Sequence, residues 1–308
     1  MNTLSPQQAA THLLNHKVVA FATETVYGLG ARADSNQAVQ KIYDLKGRPS
    51  HNPLIAHVST LDMAQTFAEF KDTALKLARL FWPGPLTLVL PLTNPNKIAA
   101  SARANLSTVA VRCPAHPLAQ ELLKIVNIPL VAPSANISNR ISPTRAEHVK
   151  HYFPTVPILE GGQSQTGLES TIIDLTGKTP LLLRPGALTA EDIFSQTQIE
   201  VNVGTQSKII NAPGQLSLHY APTVPLRMDV TKPRSDEIFV GFGSMVCAHN
   251  LSSKGCLVEA SHHLYHSLLM LEKQQKPIAI CPIPNNGAGV AINDRLQRAA
   301  SKTKSADS

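Results

Sequence analysis

The chain has 308 residues, enough for two domains at roughly 100–200 residues each. Apolar residues make up 43% and charged residues only 16%, which excludes charge-driven disorder, and no apolar run approaches the roughly 18 residues of a membrane span. The 28 Lys and Arg exceed the 21 acids without gathering into a tail, so both a mildly basic enzyme surface and a concave site for a polyanion fit.

Ser5-Pro6 reads as an N-cap with Pro at the first helical position, opening a helix to about residue 16. The apolar run 18–22 follows as a buried strand, and Ser35 caps a helix that puts Ala38, Val39, Ile42 and Leu45 on one face. Further strands are expected at 54–58, 86–90, 108–112, 130–132, 170–175 and 181–184. Helices are expected at 61–70, 73–81, 118–126, 145–152 and 191–196. This order gives an α/β domain over 1–200. Residues 201–235 are polar and turn-rich and read as a linker. Strands at 238–242 and 278–281, with helices at 264–272 and 290–300, predict a small α/β unit over 236–308 that leans on the first.

The start of the chain has no basic stretch leading into an apolar one, so no secretory signal is read and the expected location is cytoplasmic, with no membrane partner. Cys113, Cys247, Cys256 and Cys281 show no CxxC spacing, which fits a reducing compartment. His262, His263 and His266 lie close together, but no Cys or carboxylate pattern completes a metal site, so a solvated helix face is expected there and no protein-held metal. The phosphate loops are missing too. Gly162 and Gly167 have Walker spacing but are followed by Leu168-Glu169, and Gly177-Lys178-Thr179 has Ile172 at its first glycine position.

What remains is a set of small, polar segments at strand ends: TETVYGLGA (23–31), LKGRPSHNPLIAH (45–57), STVAVRCPAHP (107–117), APSANISNRISPT (132–144), GLESTIIDL (167–175) and LLRPG (182–186). Such loops build ligand sites on α/β sheets. Their cations Lys46, Arg48, Arg112 and Arg184, with the polar Thr23, Ser134, Asn136 and Ser170, suit an anionic, polyhydroxylated ligand such as a nucleoside triphosphate.

These segments and WPGPLT (82–87), in this order, resemble the YrdC-type domain family over roughly residues 5–200, and APGQLSLHYAP (212–222) resembles the linker of the longer, two-domain threonylcarbamoyl-AMP synthases. The resemblance implies a YrdC-like twisted mixed sheet with helices around a concave basic site, followed by a small C-terminal α/β (Rossmann-like) domain. It implies an enzyme that joins L-threonine, bicarbonate or CO2, and ATP into threonylcarbamoyl-AMP, with Mg2+ entering on ATP. The product would pass to a downstream tRNA threonylcarbamoyl transferase machinery, with weak direct contact to tRNA.

By motif, Lys46 and Arg48 are the expected catalytic cations on the phosphates and the carbamate. Thr23, His57, Arg112, the carbonyl of Ala132 and Ser170 are expected on threonine. Asn52, Thr108, Ser134, Asn136, Ser142, Arg184, His219 and Tyr220 are expected on ATP, the last two by folding the linker over the filled site as a lid. A turn or cap role competes with a ligand role for Asn52, Ser142 and His57. Two features depart from the family: the stretch after Pro222 is short for its second domain, and the linker lacks a basic tract before HYAP. An RNA- or ribosome-binding module lacks its Lys/Arg run and stacking aromatics here. A carbamoyltransferase relative lacks its zinc-finger-like cysteines.

Overall fold

The computed structural model describes residues 3–203 and 219–304, without the side chains of 301–304. The helix expected at Ser5-Pro6 is α1 (Pro6–Leu14), closed by a capping box between Ser5 and Gln8. It is followed by α2 (Asn36–Lys46), α3 (Leu61–Gln65), α4 (Asp72–Phe81), α5 (Pro117–Val126), α6 (Ala146–Tyr152) and α7 (Ala190–Thr197). The first ten strands are β1 (Val19–Phe21), β2 (Gly28–Arg32), β3 (Ile55–His57), β4 (Leu86–Pro91), β5 (Thr108–Arg112), β6 (Leu130–Val131), β7 (Ile158–Leu159), β8 (Thr171–Asp174), β9 (Leu181–Arg184) and β10 (Asn202–Val203). They form one mixed sheet in the order β10-β9-β8-β4-β5-β3-β6-β2-β1-β7.

Successive residues of a strand face opposite sides. Val19 and Phe21 of β1 accordingly pack with α1 and α5, while Ala20 joins the larger core under α2 and α4. β2 was expected as a loop, because its GLG reads as a turn. Its glycines serve packing instead: a Cβ on Gly30 would lie 2.6 Å from the ring of Phe21, its diagonal neighbour in the antiparallel β1–β2 pair. Helix α3 is shorter than expected, because Ala68 leaves the helix to bridge Leu92.

The second unit is a parallel four-stranded sheet, in the order β11 (Leu226–Arg227), β14 (Ile278–Ile280), β12 (Ile238–Gly241), β13 (His249–Asn250). Helices α8 (Leu257–Glu272) and α9 (Ala288–Lys304) complete it. β11 lies inside the stretch expected to be linker, so this unit begins before residue 236. Its core is continuous with the first unit, since Val26, Ile141 and Leu168 pack among its buried side chains. The face of α8 bearing His262, His263 and His266 is not the solvated one expected. His262 Nδ1 lies 2.8 Å from the Gln165 carbonyl, and His266 Nδ1 lies 3.1 Å from His148 Nε2. All four cysteines are free, and among the described residues no helix is long and apolar enough to cross a membrane.

Candidate active site

Four strands of the first sheet place their functional side chains in one row. His57 of β3 pairs with Arg112 of β5, Arg112 with Thr87 of β4, and Thr87 with Ile172 of β8, which in turn meets Arg184 of β9. Residues in cross-strand register share a face. Two residues further along the same strands, Ile55, Ala110 and Val89 join Ile172 in a small apolar cluster on the same face, beside this row. The polar row is therefore bordered by apolar side chains, beside which water screens charge poorly.

Loops bring the remaining groups. Helix α2 ends at Gly47, whose left-handed conformation (φ 57°) lets the chain turn so that Lys46 and Arg48 are both buried. Gly186 closes the LLRPG turn against the chain at 169–171; a Cβ there would lie 2.7 Å from the Glu169 carbonyl oxygen. Arg184 Nε consequently donates to the Ser170 carbonyl at 3.0 Å. The segment from His219 enters from the other side, where Ala221 N–H donates to the Asn139 carbonyl at 2.9 Å. Residues 204–218, with most of the expected lid, lie outside the described residues.

The resulting cleft is tight, with a free volume of about 40 Å³. Of the residues expected on a ligand, Arg48, His57, Arg112, Ala132 and Ser134 line it, as do Ser170, Arg184, His219 and Tyr220. Thr23, Lys46, Asn52, Asn136 and Ser142 are buried around it. Thr108 is not part of it. It sits at the far end of β5, opposite Pro91, and four residues of strand rise put it about 13 Å from Arg112. A larger hollow of about 210 Å³, beside Lys71 and Lys178, lies away from this convergence.

The cations are partly committed to protein. Lys46 Nζ donates to the Ser134 and Asn136 carbonyls at 2.5 and 2.6 Å, which leaves one of its three N–H bonds. It thus organises the APSAN loop as well as supplying charge. Arg48 donates to the Asn52 and Pro53 carbonyls, so the expected turn role of Asn52 is present, while Asn52 Oδ1 is buried without a partner. Arg112 spends three of its five N–H bonds, on Glu24 (2.6 Å), Thr25 and the Gly84 carbonyl. Burial pulls the Lys46 ammonium well below its ordinary pKa, with Arg48 adding to the effect, and burial lowers Arg48 to about 10.

The histidines are neutral. Burial lowers His57 to about 3, and Arg112 pushes the same way. His57 Nδ1 lies 3.0 Å from the Ile55 carbonyl, to which it must donate, so Nε2 is left as an acceptor. Burial likewise lowers His219 to about 3; its Nδ1 and the Tyr220 hydroxyl are buried without partners among the described residues. Tyr220 is held at φ 62°, unusual for a non-glycine residue. Two unpartnered polar atoms on a strained segment at a cleft suit a ligand contact.

Sequence reasoning missed two acids in this cationic site, although their motifs were singled out. Glu24 pairs with Arg112, and Glu169 accepts from Ser142 Oγ at 2.5 Å. It also missed Arg295, which reaches Glu169 from α9. A third acid, Glu147, approaches the His148–His266 pair and brings three potential metal ligands within 4.8 Å. His148 Nδ1 accepts the Thr144 N–H, so its Nε2 carries the ring proton and donates to His266. That proton occupies the position a metal would need.

Comparison with known proteins decides the kinship. A family model for the Sua5, YciO and YrdC proteins, described as telomere recombination, matches residues 11–186. A second, described as the threonylcarbamoyl-AMP synthase C-terminal domain, matches residues 187–301. The chain belongs to the two-domain Sua5 family. The threonylcarbamoyl-AMP synthase of Bacillus subtilis is 36% identical over 97% of this chain and 94% of its own length. That of Pyrococcus abyssi is 36% identical over 95% and 93%. A crystal structure of P. abyssi Sua5 complexed with L-threonine superposes with a TM-score of 0.87 over 96% of this chain and 94% of that one. Escherichia coli YciO shares the fold at a TM-score of 0.53 and 23% identity, over 59% of this chain and 88% of its own.

Proposed function

We propose that this cleft makes threonylcarbamoyl-AMP and pyrophosphate from L-threonine, bicarbonate or CO2, and ATP. The observation that carries this reading is charge. Lys46, Arg48, Arg112 and Arg184 are all buried at or beside the cleft, against two buried carboxylates, Glu24 and Glu169. Surplus buried positive charge is costly unless an anion joins it. A triphosphate and an amino-acid carboxylate are such anions.

The two N–H bonds that Arg112 retains take the threonine carboxylate, a charge-assisted contact. Ser170 Oγ, 2.7 Å from Thr87 Oγ1, and the bare Nε2 of His57 receive the polar end of the amino acid. The threonine amine attacks CO2, forming an N–C bond and losing a proton to give a carbamate. A carbamate oxygen then attacks the α-phosphorus, and the bond to the pyrophosphate oxygen breaks. The remaining N–H bonds of Lys46, Arg48 and Arg184 neutralise charge that grows on the phosphates, where positioning and electrostatics carry most of the catalysis. His219 and the Tyr220 hydroxyl contact the nucleotide and help exclude water, which protects the carbamate.

Mg2+ fits only as a passenger on the phosphates, because the cleft's carboxylates already face arginines. Bound there, it supplies further charge neutralisation. The product then passes to a tRNA threonylcarbamoyl transferase machinery in the cytoplasm.

Amino-acid selectivity tests the pocket. Serine keeps the hydroxyl and loses one methyl, worth roughly 0.8 kcal/mol or about fourfold. Valine keeps the shape and strands the buried polar groups, which is expected to lower kcat/KM at least roughly a hundredfold. Turnover is therefore expected in the order threonine, serine, then valine far behind. Pyrophosphate release with valine equal to that with threonine would show that the hydroxyl is not read.

A further inference from the structure

The C-terminal unit puts one charged side chain deep into the first unit. Arg295 of α9 is 1% exposed. On its own helix it meets Asp294, and its other partners among the described residues border the cleft. Nε donates to Glu169 Oε2 at 2.8 Å, one Nη donates to the Pro185 carbonyl at 2.9 Å, and the guanidinium lies 5.0 Å from the centre of the Tyr220 ring. Tyr265 of α8 adds a hydroxyl donor at 2.9 Å from the same Glu169 oxygen, and its ring stacks on Tyr220 at 5.9 Å.

We infer that Arg295 is a positioning residue for the nucleotide half of the cleft, acting through Glu169 and Tyr220. The inference rests on the reading of that cleft as an ATP site. Glu169 stands between two arginines. It is hydrogen-bonded to Arg295, while Arg184 donates instead to the Ser170 carbonyl and hydroxyl. Burial works against the charge of Glu169, but Arg295 and then Arg184 outweigh it and hold the carboxyl down at about 2. An ionised, buried carboxylate deprived of Arg295 has Arg184 as its remaining cation, and pairing there would consume the N–H edge that Arg184 otherwise keeps for phosphate. Arg295 thus satisfies Glu169 from behind and leaves Arg184 available in front. Its planar face also supports the Tyr220 ring, which a lysine could not do equally well. Of the threonine contacts, Arg112 and His57 are untouched by Arg295 and Glu169 among the hydrogen bonds described, and Ser170 is reached only indirectly, through Arg184.

The test is calorimetric titration of the full chain with ATP and, separately, with L-threonine. Arg295→Met is expected to weaken ATP at least tenfold and to change threonine less than twofold. Adding Glu169→Gln to that variant removes the competing charge and is expected to recover at least threefold of the lost ATP affinity. Should Arg295→Met fail to fold, Arg295→Lys carries the same test, with ATP alone weakened about threefold. Equal weakening of both ligands, unchanged ATP affinity, or no recovery in the double variant would overturn the inference. A wild-type chain that bound no ATP would remove the underlying reading, and this inference with it.

Discussion

Replacing Arg48 by alanine is expected to lower pyrophosphate release at least a hundredfold. Arg48 follows the helix-ending Gly47, lines the cleft, and keeps N–H bonds beyond those given to the Asn52 and Pro53 carbonyls. Losing one charge-assisted contact to a developing phosphate charge in a desolvated site costs about 2.7–4 kcal/mol of transition-state stabilisation. Arg48→Lys keeps the charge without the planar fork, and an intermediate loss is expected. Lys46→Ala should be as inactive but less stable, because it also strands the Ser134 and Asn136 carbonyls. Circular dichroism separates the two effects. Near wild-type turnover by folded Arg48→Ala would remove Arg48 from the mechanism.

Acid is expected to unfold the protein well before its carboxylates titrate. His57, His148 and His219 are each lowered to about 3, chiefly by burial. In the unfolded chain they titrate near 6.5. Below that pH the unfolded state takes up protons that the folded state refuses, so stability falls as pH drops from about 6.5 towards 3. Three such groups give a slope of at most about 4 kcal/mol per pH unit, large against a net stability of roughly 5–15 kcal/mol. Glu169, held at about 2, adds loss of the same sign below about 4.5. Urea midpoints at pH 7.5, 6 and 5 measure this. A midpoint that stays constant across that range would show that these rings titrate freely in the folded protein.

Much of the site could be read in the sequence, because its parts sit in short segments at strand ends. Once β3, β5, β4, β8 and β9 pair in register, His57, Arg112, Thr87 and Arg184 fall into a single row. The errors have physical causes. The GLG of β2 resembles a turn until Phe21 is seen to need the space. The histidine face of α8 is polar and reads as solvated, yet it packs on the first unit, where Ser261 lies against Thr166. Thr108 shares a motif and a sheet face with Arg112, but strand rise carries it out of reach. Arg295 gave no local signal at all. Its partner Glu169 lies 126 positions away, and only the docking of the second unit brings them together.

The proposed reaction couples threonine, bicarbonate and ATP in one cleft. It is tested most directly by omission: the full chain is incubated with ATP, L-threonine and bicarbonate, then with each left out in turn. Pyrophosphate and the adenylate's mass are followed together. The expected result is stoichiometric pyrophosphate and threonylcarbamoyl-AMP only when all three are present. Pyrophosphate release that persists at the same rate without threonine or without bicarbonate would contradict it.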